Sequence, residues 1–420
     1  MIVPSIDLLD GQAVQLVGGE QPAIAAGDPR PLLDRFARVG EVAVVDLDAA
    51  RGEGSNATLA RELCARARVR VGGGIRTAEA ALEWLDAGAT QVVLGTAADP
   101  ELLRQLPRER VVVALDARNG EVVTHGWRRG TGRSILERLE ELAPWCGGFL
   151  VTFVEREGRL GGTDLARAGE IVRAAGAARV TIAGGVTSAE EVAALDRLGA
   201  DAQVGMALYS GRLHLADALA APLRSERADG LWPTLVSDER GVTLGLAWSS
   251  AESLRVALDE GAGVYHSRTR GLWRKGASSG DRQELLAVEL DCDRDALRFT
   301  VRQAGSGFCH LGTRSCFGAA RGLGALEATL QARLQGAPAG SVTRRLIEQP
   351  ELLAAKLREE ARELGEARTR EEVREEAADL LYFALVRAAA AGVPLAEIEE
   401  TLDRRALRVS RRPCEAKEGR

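Results

Sequence analysis

Apolar and polar positions change period along this chain. Through about residue 221, short apolar runs alternate with longer Ala-, Leu-, Arg- and Glu-rich stretches whose apolar residues recur at helical spacing. The runs are "MIVPSI" (1–6), "EVAVVD" (41–46), "RVRV" (68–71), "QVVL" (91–94), "RVVVAL" (110–115), "GFLVTF" (148–153), "RVTIA" (179–183) and "AQV" (202–204). Eight buried strands separated by helical patterns predict a closed α/β (β/α)8 TIM barrel, with an open doubly wound sheet as the competing topology. "PLRSERADG" (222–230) is polar and closed by Pro and Gly, as a linker would be. Beyond it lie β-type runs such as "ELLAVELDCD" and "ALRFTVRQAG", then a second break at "GAARGLGALE" (318–327). The remainder is rich in Ala, Leu, Glu and Arg and poor in Gly, which predicts helices. The expected organisation is multidomain: a barrel over 1–221, a small mainly-β or α+β domain over 231–317, and an all-α domain over 326–412.

An internal repeat favours the barrel over the open sheet. "GGIRTAEAALEWLDAGATQVVLGTA" (73–97) matches "GGVTSAEEVAALDRLGADAQVGMA" (184–207) at an offset of 111 residues at the first glycine. Asp7, after the first run, has its counterpart in Asp116, after the fifth. A doubled four-strand unit is half a barrel used twice, and it is too large for a small-helix solenoid.

Composition narrows the class. With 45% hydrophobic and 28% charged residues the chain is of soluble globular type, and no apolar run approaches the roughly 18 residues of a membrane helix. The start "MIVPSIDLLDG" lacks a basic leader, and six scattered cysteines do not form a disulfide framework, so a reducing cytoplasm is the expected setting. A net charge of −6 argues against bulk nucleic-acid binding, while single anionic ligands remain within reach of local groups.

Strand C-termini face the active site of a barrel, so Asp7 and Asp116 are expected to project into one mouth from opposite sides. One such Asp would most simply cap a loop; a symmetric pair suits general acid and general base on one substrate. Gly73 and Gly74, then Gly184 and Gly185, end the third and seventh runs, while Gly95–Thr96 and Gly205–Met206 end the fourth and eighth. Backbone N–H groups in such turns bind phosphate, and two sets imply a substrate with two phosphate ends. "PSIDLLDG", "VVDLDAARGEGSN", "GGGIRT", "GTAA", "ALDARNGEVVTHGW" and "AGGV" resemble the ProFAR isomerase of histidine biosynthesis, over essentially all of 1–214. The resemblance implies an Amadori rearrangement, with Asp7 as general base, Asp116 as general acid and Thr152 in support. "HGW" (125–127) favours the isomerase over its sister cyclase. Gln15 stands where the family commonly has Arg, Phe153 where an acidic residue is common, and "REGRL" where "RDGTL" is usual. These departures imply weakened or altered isomerase activity.

In the middle segment, "CHLGTRSC" places Cys309, His310 and Cys316 within eight residues, and Cys292 lies in "LDCDRD". Three thiolates with no obvious fourth ligand suit an open zinc site, with His310 beside the ion as acid or base. Asp291, Asp293 and Asp295 alternate around Cys292, so on a strand they would share one face, as hard ligands for Mg²⁺. "YHSRTRGLWRKGASSG", "LDCDRD" and "CHLGTRSCF" resemble phosphoribosyl-AMP cyclohydrolase over about 231–317. The resemblance implies zinc-dependent opening of an adenine ring and a site built across a dimer. Arg268, Arg270, Trp273 and Lys275 are then candidates for phosphate and base contacts, expected on the surface.

In the helical third, "KLREEAREL" and "EEAADLLY" set Glu360 with Glu363, and Glu376 with Asp379, at i, i+3 spacing on one helix face each. Acidic helix faces are usually just solvated, but Asp379 falls inside an apolar run, where an unpaired buried carboxylate is costly. These motifs, with "GSVTRRL", resemble phosphoribosyl-ATP pyrophosphohydrolase over about 326–405. The resemblance implies that Glu359, Glu360, Glu363, Glu376 and Asp379 are Mg²⁺ ligands or activators of water. Phe383 and Val342 replace a frequent His and Tyr.

All three resemblances belong to one route. They imply a trifunctional histidine-biosynthesis enzyme needing Zn²⁺ and Mg²⁺, binding small phosphoribosyl nucleotides including an ATP derivative, and forming a homodimer or larger homo-oligomer. No nucleic-acid or membrane partner is expected. The alternative is a bifunctional cyclohydrolase and pyrophosphohydrolase whose barrel is weakened or structural.

Overall fold

The computed structural model describes residues 1–124, 126–319, 321–338 and 340–410; His125 of the "HGW" motif, the last two residues of the expected helical domain and Cys414 lie outside the described residues. The eight expected runs all form strands. In the first region they belong to β1 (Ile2–Leu9), β2 (Gln12–Val17), β3 (Gln21–Gly27), β4 (Val42–Asp46), β5 (Val69–Gly72), β6 (Gln91–Leu94), β7 (Val111–Arg118), β8 (Glu121–Thr124), β9 (Arg129–Ser134), β10 (Gly148–Phe153), β11 (Arg179–Ala183) and β12 (Ala200–Val204). Strands β1, β4, β5, β6, β7, β10, β11 and β12 pair in parallel in that order, and β12 returns to β1, which closes the barrel.

The remaining four strands form two antiparallel hairpins absent from the sequence-based expectation. One follows β1 (β2–β3) and the other follows β7 (β8–β9). They extend the two strands that carry Asp7 and Asp116, so the twofold repeat includes them. One strand of the second hairpin offers no apolar signal: β9, "RGTGRS", is exposed along its whole length and shows no apolar period.

The βα turns are built by local capping. The helix Ala189–Leu198 opens with a capping box between Ser188 and Glu191 and closes on Gly199 in the left-handed region. Its repeat counterpart, Ala78–Asp86, opens on Thr77. Inside the barrel, Val112, Leu150 and Ala183 pack together. Below them Arg70, 1% exposed, donates to Thr181 Oγ1 at 3.0 Å and lies 3.5 Å from Glu41. Arg70 and Thr181 are repeat partners, so the pseudo-twofold passes through this buried polar pair.

Strands β13 (Trp232–Asp238), β14 (Thr243–Ser249), β15 (Val264–Ser267), β16 (Gly271–Arg274), β17 (Gln283–Leu290) and β18 (Leu297–Gln303) make up the second region. They form a four-stranded sheet in the order β14-β13-β18-β17 and a separate β15–β16 hairpin, with the helix Ala251–Glu260 between β14 and β15. The chain divides into two compact units: Met1–Gly241 with Leu246–Gly305 and Leu407–Arg420, and Val242–Gly245 with Ser306–Ala406. Within the first unit, Arg38 donates to the Leu258 carbonyl at 2.9 Å, His214 meets Asp259 at 3.2 Å, and Arg255 pairs with Asp217.

The second unit contains the helices Gly322–Gly336, Val342–Glu348, Pro350–Glu366, Arg370–Ala390 and Leu395–Ala406. Its core is Leu330, Leu346, Leu353, Leu385, Val386, Ala389 and Leu395. Val342 and Leu402 are exposed on its surface. Among the described residues, no single helix is long and apolar enough to cross a membrane.

Candidate active sites

At the barrel mouth, Thr152 and Asp116 are register partners on β10 and β7. The Asp116 carboxylate accepts hydrogen bonds from the Thr152 hydroxyl and the Trp127 indole; burial nonetheless outweighs them and raises its pKa. Asp7 lies on β1, opposite Val14 of the first hairpin. Burial pushes its carboxyl up to about 7.

A third carboxylate joins them. Glu157, after the short helical turn Val154–Arg156, is pushed up to about 8 by burial and by the charges of Asp7 and Asp116. Sequence reasoning passed over it, although it lies in the "REGRL" departure. A signal was present: Glu157 adds one methylene to the Asp usual there.

The two hairpin tips close over this cluster. A Cβ on Gly19 would lie 2.4 Å from the Trp127 ring, and Gly18 N donates to the Glu157 carbonyl at 3.2 Å. Tyr209 donates to the Ser5 carbonyl at 3.2 Å, and burial, then the Asp7 charge, raise its pKa.

Gly73 and Gly184 occupy equivalent places and have positive φ. A Cβ on Gly73 would meet the Asp46 carbonyl oxygen at 2.2 Å, and on Gly184 the Phe153 carbonyl oxygen at 2.5 Å, so both turns require glycine. Gly184, Gly185, Gly205 and Met206 line a cleft that also includes Ser5, Glu157 and Gln203. The buried Gln15 points its amide at this floor: a Cβ on Gly205 would be 2.4 Å from its oxygen. In the other half, buried Asp46 and Asp48 hold Asn56 and the first hairpin, through Asn56 Nδ2 at 2.8 Å to each and Asp10 N to Asp48 at 2.8 Å. This explains the "VVDLDAARGEGSN" motif. Cys64 and Cys146 are also in the barrel, with thiols pushed by burial up to about 12 and about 11.

The acidic motif of the second region departs from expectation. Asp291, Asp293 and Asp295 lie in the loop joining β17 to β18, not on a strand. The alternation rule therefore does not bring them together; a turn does. Asp291 Oδ1 accepts from Asp295 N at 3.0 Å and Ala296 N at 3.1 Å, and Arg294 sits at φ 65°. One oxygen from each of the three carboxylates falls within 4.8 Å of the others. Hydrogen bonding to Asp291 and the charge of Asp293 raise the Asp295 pKa.

Arg268 and Arg270 are exposed, as expected, but Lys275 is buried, 4.0 Å from Asp281. Continuation of the hairpin past β16 turns it inward. Trp273 is half-buried, 5.7 Å from the Tyr265 ring, with the Arg270 guanidinium 5.7 Å from its own. Sequence reasoning also missed Trp248, which has Arg227 4.2 Å and Arg268 5.4 Å from its ring.

In the second unit, "CHLGTRSC" folds back on itself. Phe308 N donates to Arg314 O at 3.0 Å, Cys309 N to Thr313 O at 3.1 Å, and Gly312 N to Cys309 O at 3.0 Å. Cys309 is buried, while His310 and Cys316 are exposed. Cys316 N is fixed to Leu244 O at 2.8 Å. Cys292 belongs to the first unit and is exposed. Among the described residues, the clusters of three potential ligand groups are all carboxylates.

Two such clusters lie on the helices Pro350–Glu366 and Arg370–Ala390: Glu359, Glu360 and Glu363, and Glu360, Glu376 and Asp379. Glu360 belongs to both and is 4% exposed. Asp379 is exposed, as is neighbouring Leu381, so the argument from its apolar neighbours fails. Lys356 reaches Glu359 at 2.8 Å and Glu360 at 2.9 Å. Burial, then the charges of Glu363, Glu360 and Asp379, raise the Glu376 pKa.

Comparison with known proteins adds three matches in chain order. The family model described as "Histidine biosynthesis protein" matches residues 1–214, that of phosphoribosyl-AMP cyclohydrolase 245–318, and that of phosphoribosyl-ATP pyrophosphohydrolase 323–406. The histidine biosynthesis trifunctional protein of Neurospora crassa is 51% identical over 208 residues, which are 50% of this chain and 24% of that protein. The histidine biosynthesis bifunctional protein his7 of Schizosaccharomyces pombe is 52% identical over 206 residues, 49% of each chain. A phosphoribosyl imidazole-4-carboxamide isomerase of Methanoregula boonei is 41% identical over 235 residues, 52% of this chain and 98% of that one. The chain thus spans about a quarter of the trifunctional relative and half of the bifunctional one.

Proposed function

The chain belongs to the histidine biosynthesis protein family, and from that premise we propose that it carries three activities of one route. The helical region hydrolyses phosphoribosyl-ATP to phosphoribosyl-AMP and pyrophosphate. The small β region opens the adenine ring of phosphoribosyl-AMP. The barrel isomerises ProFAR to its ketose by an Amadori rearrangement. The observation that carries this reading is the ordered set of three family matches, each covering its own cluster of chemically suited side chains.

In the barrel, the glycine turns after β5 and β6, and after β11 and β12, hold the two phosphates. Asp116, whose proton affinity burial raises and which Thr152 steadies, donates a proton to the ribose ring oxygen as the ring opens. Asp7, with a pKa of about 7, accepts the proton from the sugar carbon. Glu157 adds a third titrating group to the same enclosure. This cluster favours an active barrel over a structural one.

Soft thiolates at Cys292, Cys309 and Cys316 suit zinc, with Cys292 drawn from a second copy as the family's dimeric site implies. Zinc would supply the Lewis acidity that makes water nucleophilic near neutral pH. Exposed His310 moves the proton, and Arg268, Arg270, Trp273 and Lys275 orient the nucleotide. The close carboxylates Asp291, Asp293 and Asp295 suit a hard divalent cation, Mg²⁺, because their mutual repulsion is relieved by one. The same holds for Glu359, Glu360, Glu363, Glu376 and Asp379, where Mg²⁺ would neutralise pyrophosphate charge. A homodimer or larger assembly fits the exposed apolar side chains of the helical unit.

Separate assay of the three reactions on the intact chain tests the proposal. Turnover in all three, with the isomerase alone lost in Asp7→Asn, is the expected result. No isomerase turnover would leave the bifunctional reading.

A further inference from the structure

The two carboxylates proposed as acid and base are held differently. Asp116 accepts from the Thr152 hydroxyl and the Trp127 indole. Among the described residues, no side chain donates to Asp7, and burial alone raises its proton affinity. The placement of Asp7 therefore depends on its strand, and just before Asp7 that strand lacks a ladder partner.

The bond from Ala202 N to Met1 O turns the odd-numbered backbone groups of β1, Ser5 and Asp7 included, toward the β12 side. The ladder to β12 ends at Pro4–Val204, and pairing with β2 reaches no further back than Asp7–Val14. The Ser5 carbonyl falls between the two ladders, where a buried acceptor left unpaired is costly. The Tyr209 hydroxyl donates to it at 3.2 Å. Phe36 steadies the tyrosine ring edge-on, with centroids 5.9 Å apart.

Tyr209 is carried by the glycine turn after β12. Leu208 N and Tyr209 N donate to the Gly205 carbonyl at 2.9 and 3.3 Å, so the ring follows that turn. The turn also rests on Ser5 itself: a Cβ on Gly205 would lie 2.8 Å from Ser5 Oγ. In the repeat, counted from Gly95, Asp99 stands where Tyr209 does, and it caps the helix Pro100–Leu103 through Leu102 N instead. The tyrosine pin is thus confined to the side of the carboxylate that lacks side-chain donors.

We propose that Tyr209 is a positioning residue for the isomerase: through the Ser5 carbonyl it ties the turn that grips one substrate phosphate to the strand that carries Asp7. Phosphate bound at Gly205 and Met206 then steadies Asp7 against the sugar carbon, so binding remote from the chemistry orients the base. The inference rests on the isomerase reading of the barrel.

The test is Tyr209→Phe in the full chain, assayed with ProFAR; it removes one hydroxyl and keeps the ring. The kcat is expected to fall about tenfold, while KM and the inhibition constant of inorganic phosphate stay within about twofold of the parent. Thr181→Val, which removes the Arg70 partner deep in the barrel, is the stability control. Its melting temperature should fall with kcat unchanged. Phosphoribosyl-ATP hydrolysis on the same samples should be unaltered in both variants. An unchanged kcat in Tyr209→Phe, or an equal loss of kcat in Thr181→Val, would overturn the proposal. A parent chain with no isomerase turnover overturns the isomerase reading and this one together, whereas an active parent with an unaffected Tyr209→Phe overturns this one alone.

Discussion

Thr152 donates its hydroxyl proton to the carboxylate of Asp116, its register partner on the adjacent barrel strand. The hydrogen bond orients the proposed general acid without adding charge. Thr152→Val keeps the shape and removes the donor. It is expected to lower isomerase kcat by about 10- to 100-fold, the worth of a hydrogen bond to a charged group. Steady-state kinetics alongside an unchanged melting temperature would check it.

Carboxyls at about 7 and about 8 beside Asp116 make the barrel reaction sensitive to pH. The isomerase kcat/KM should rise with pH through about 7 as Asp7 loses its proton. Glu157, at about 8, is still protonated while Asp7 titrates, so Glu157→Gln should leave the limb near 7 in place. A limb that moves to lower pH in this variant would overturn that order of titration.

The same groups set a stability trend. Their folded-state pKa values lie above the ordinary carboxyl range, so their contribution is fully present below about pH 4 and lost as pH rises through about 7 and 8. Glu157→Gln should therefore gain most at pH 9, by about 1–2 kcal/mol, and little at pH 5. Urea denaturation at the two pH values measures the difference.

Gly184 has φ 88°, and a Cβ there would meet the Phe153 carbonyl oxygen at 2.5 Å. Gly184→Ala should cost about 1–3 kcal/mol of stability and raise KM for the bisphosphorylated substrate more than it lowers kcat. Calorimetry and kinetics read the two effects separately.

Glu360 is common to both helical carboxylate clusters, whereas Glu359 belongs to one and is exposed. Glu360→Gln should abolish phosphoribosyl-ATP hydrolysis, and Glu359→Gln should lower it about tenfold or less. EDTA should stop this reaction while the isomerase persists, which an assay of both on one sample would reveal.

Much was legible along the chain because it is local. The eight barrel strands, the Asp7 and Asp116 pair at their ends and the paired glycine turns all follow from period and repeat. The i, i+3 carboxylates are equally a property of one helix, as in the cluster of Glu359, Glu360 and Glu363, whereas helix packing brings Glu360 to Glu376 and Asp379. In each hairpin one strand, β3 or β9, is largely exposed and carries no apolar alternation, while the buried β2 and β8 are too short to stand out.

What tertiary structure decided are the meetings between distant residues. Arg70 reads as an ordinary polar position within a β-run, yet barrel closure buries it against Thr181, 111 residues away. Glu157 joins Asp7 and Asp116 only because β10 closes beside β7. The acidic loop looked like strand alternation and is a turn, since the β17–β18 hairpin ends at Leu290 and resumes at Leu297. Sequence period reports how the backbone repeats; which charges share a dry enclosure depends on how the sheet closes, and burial then sets their proton affinity.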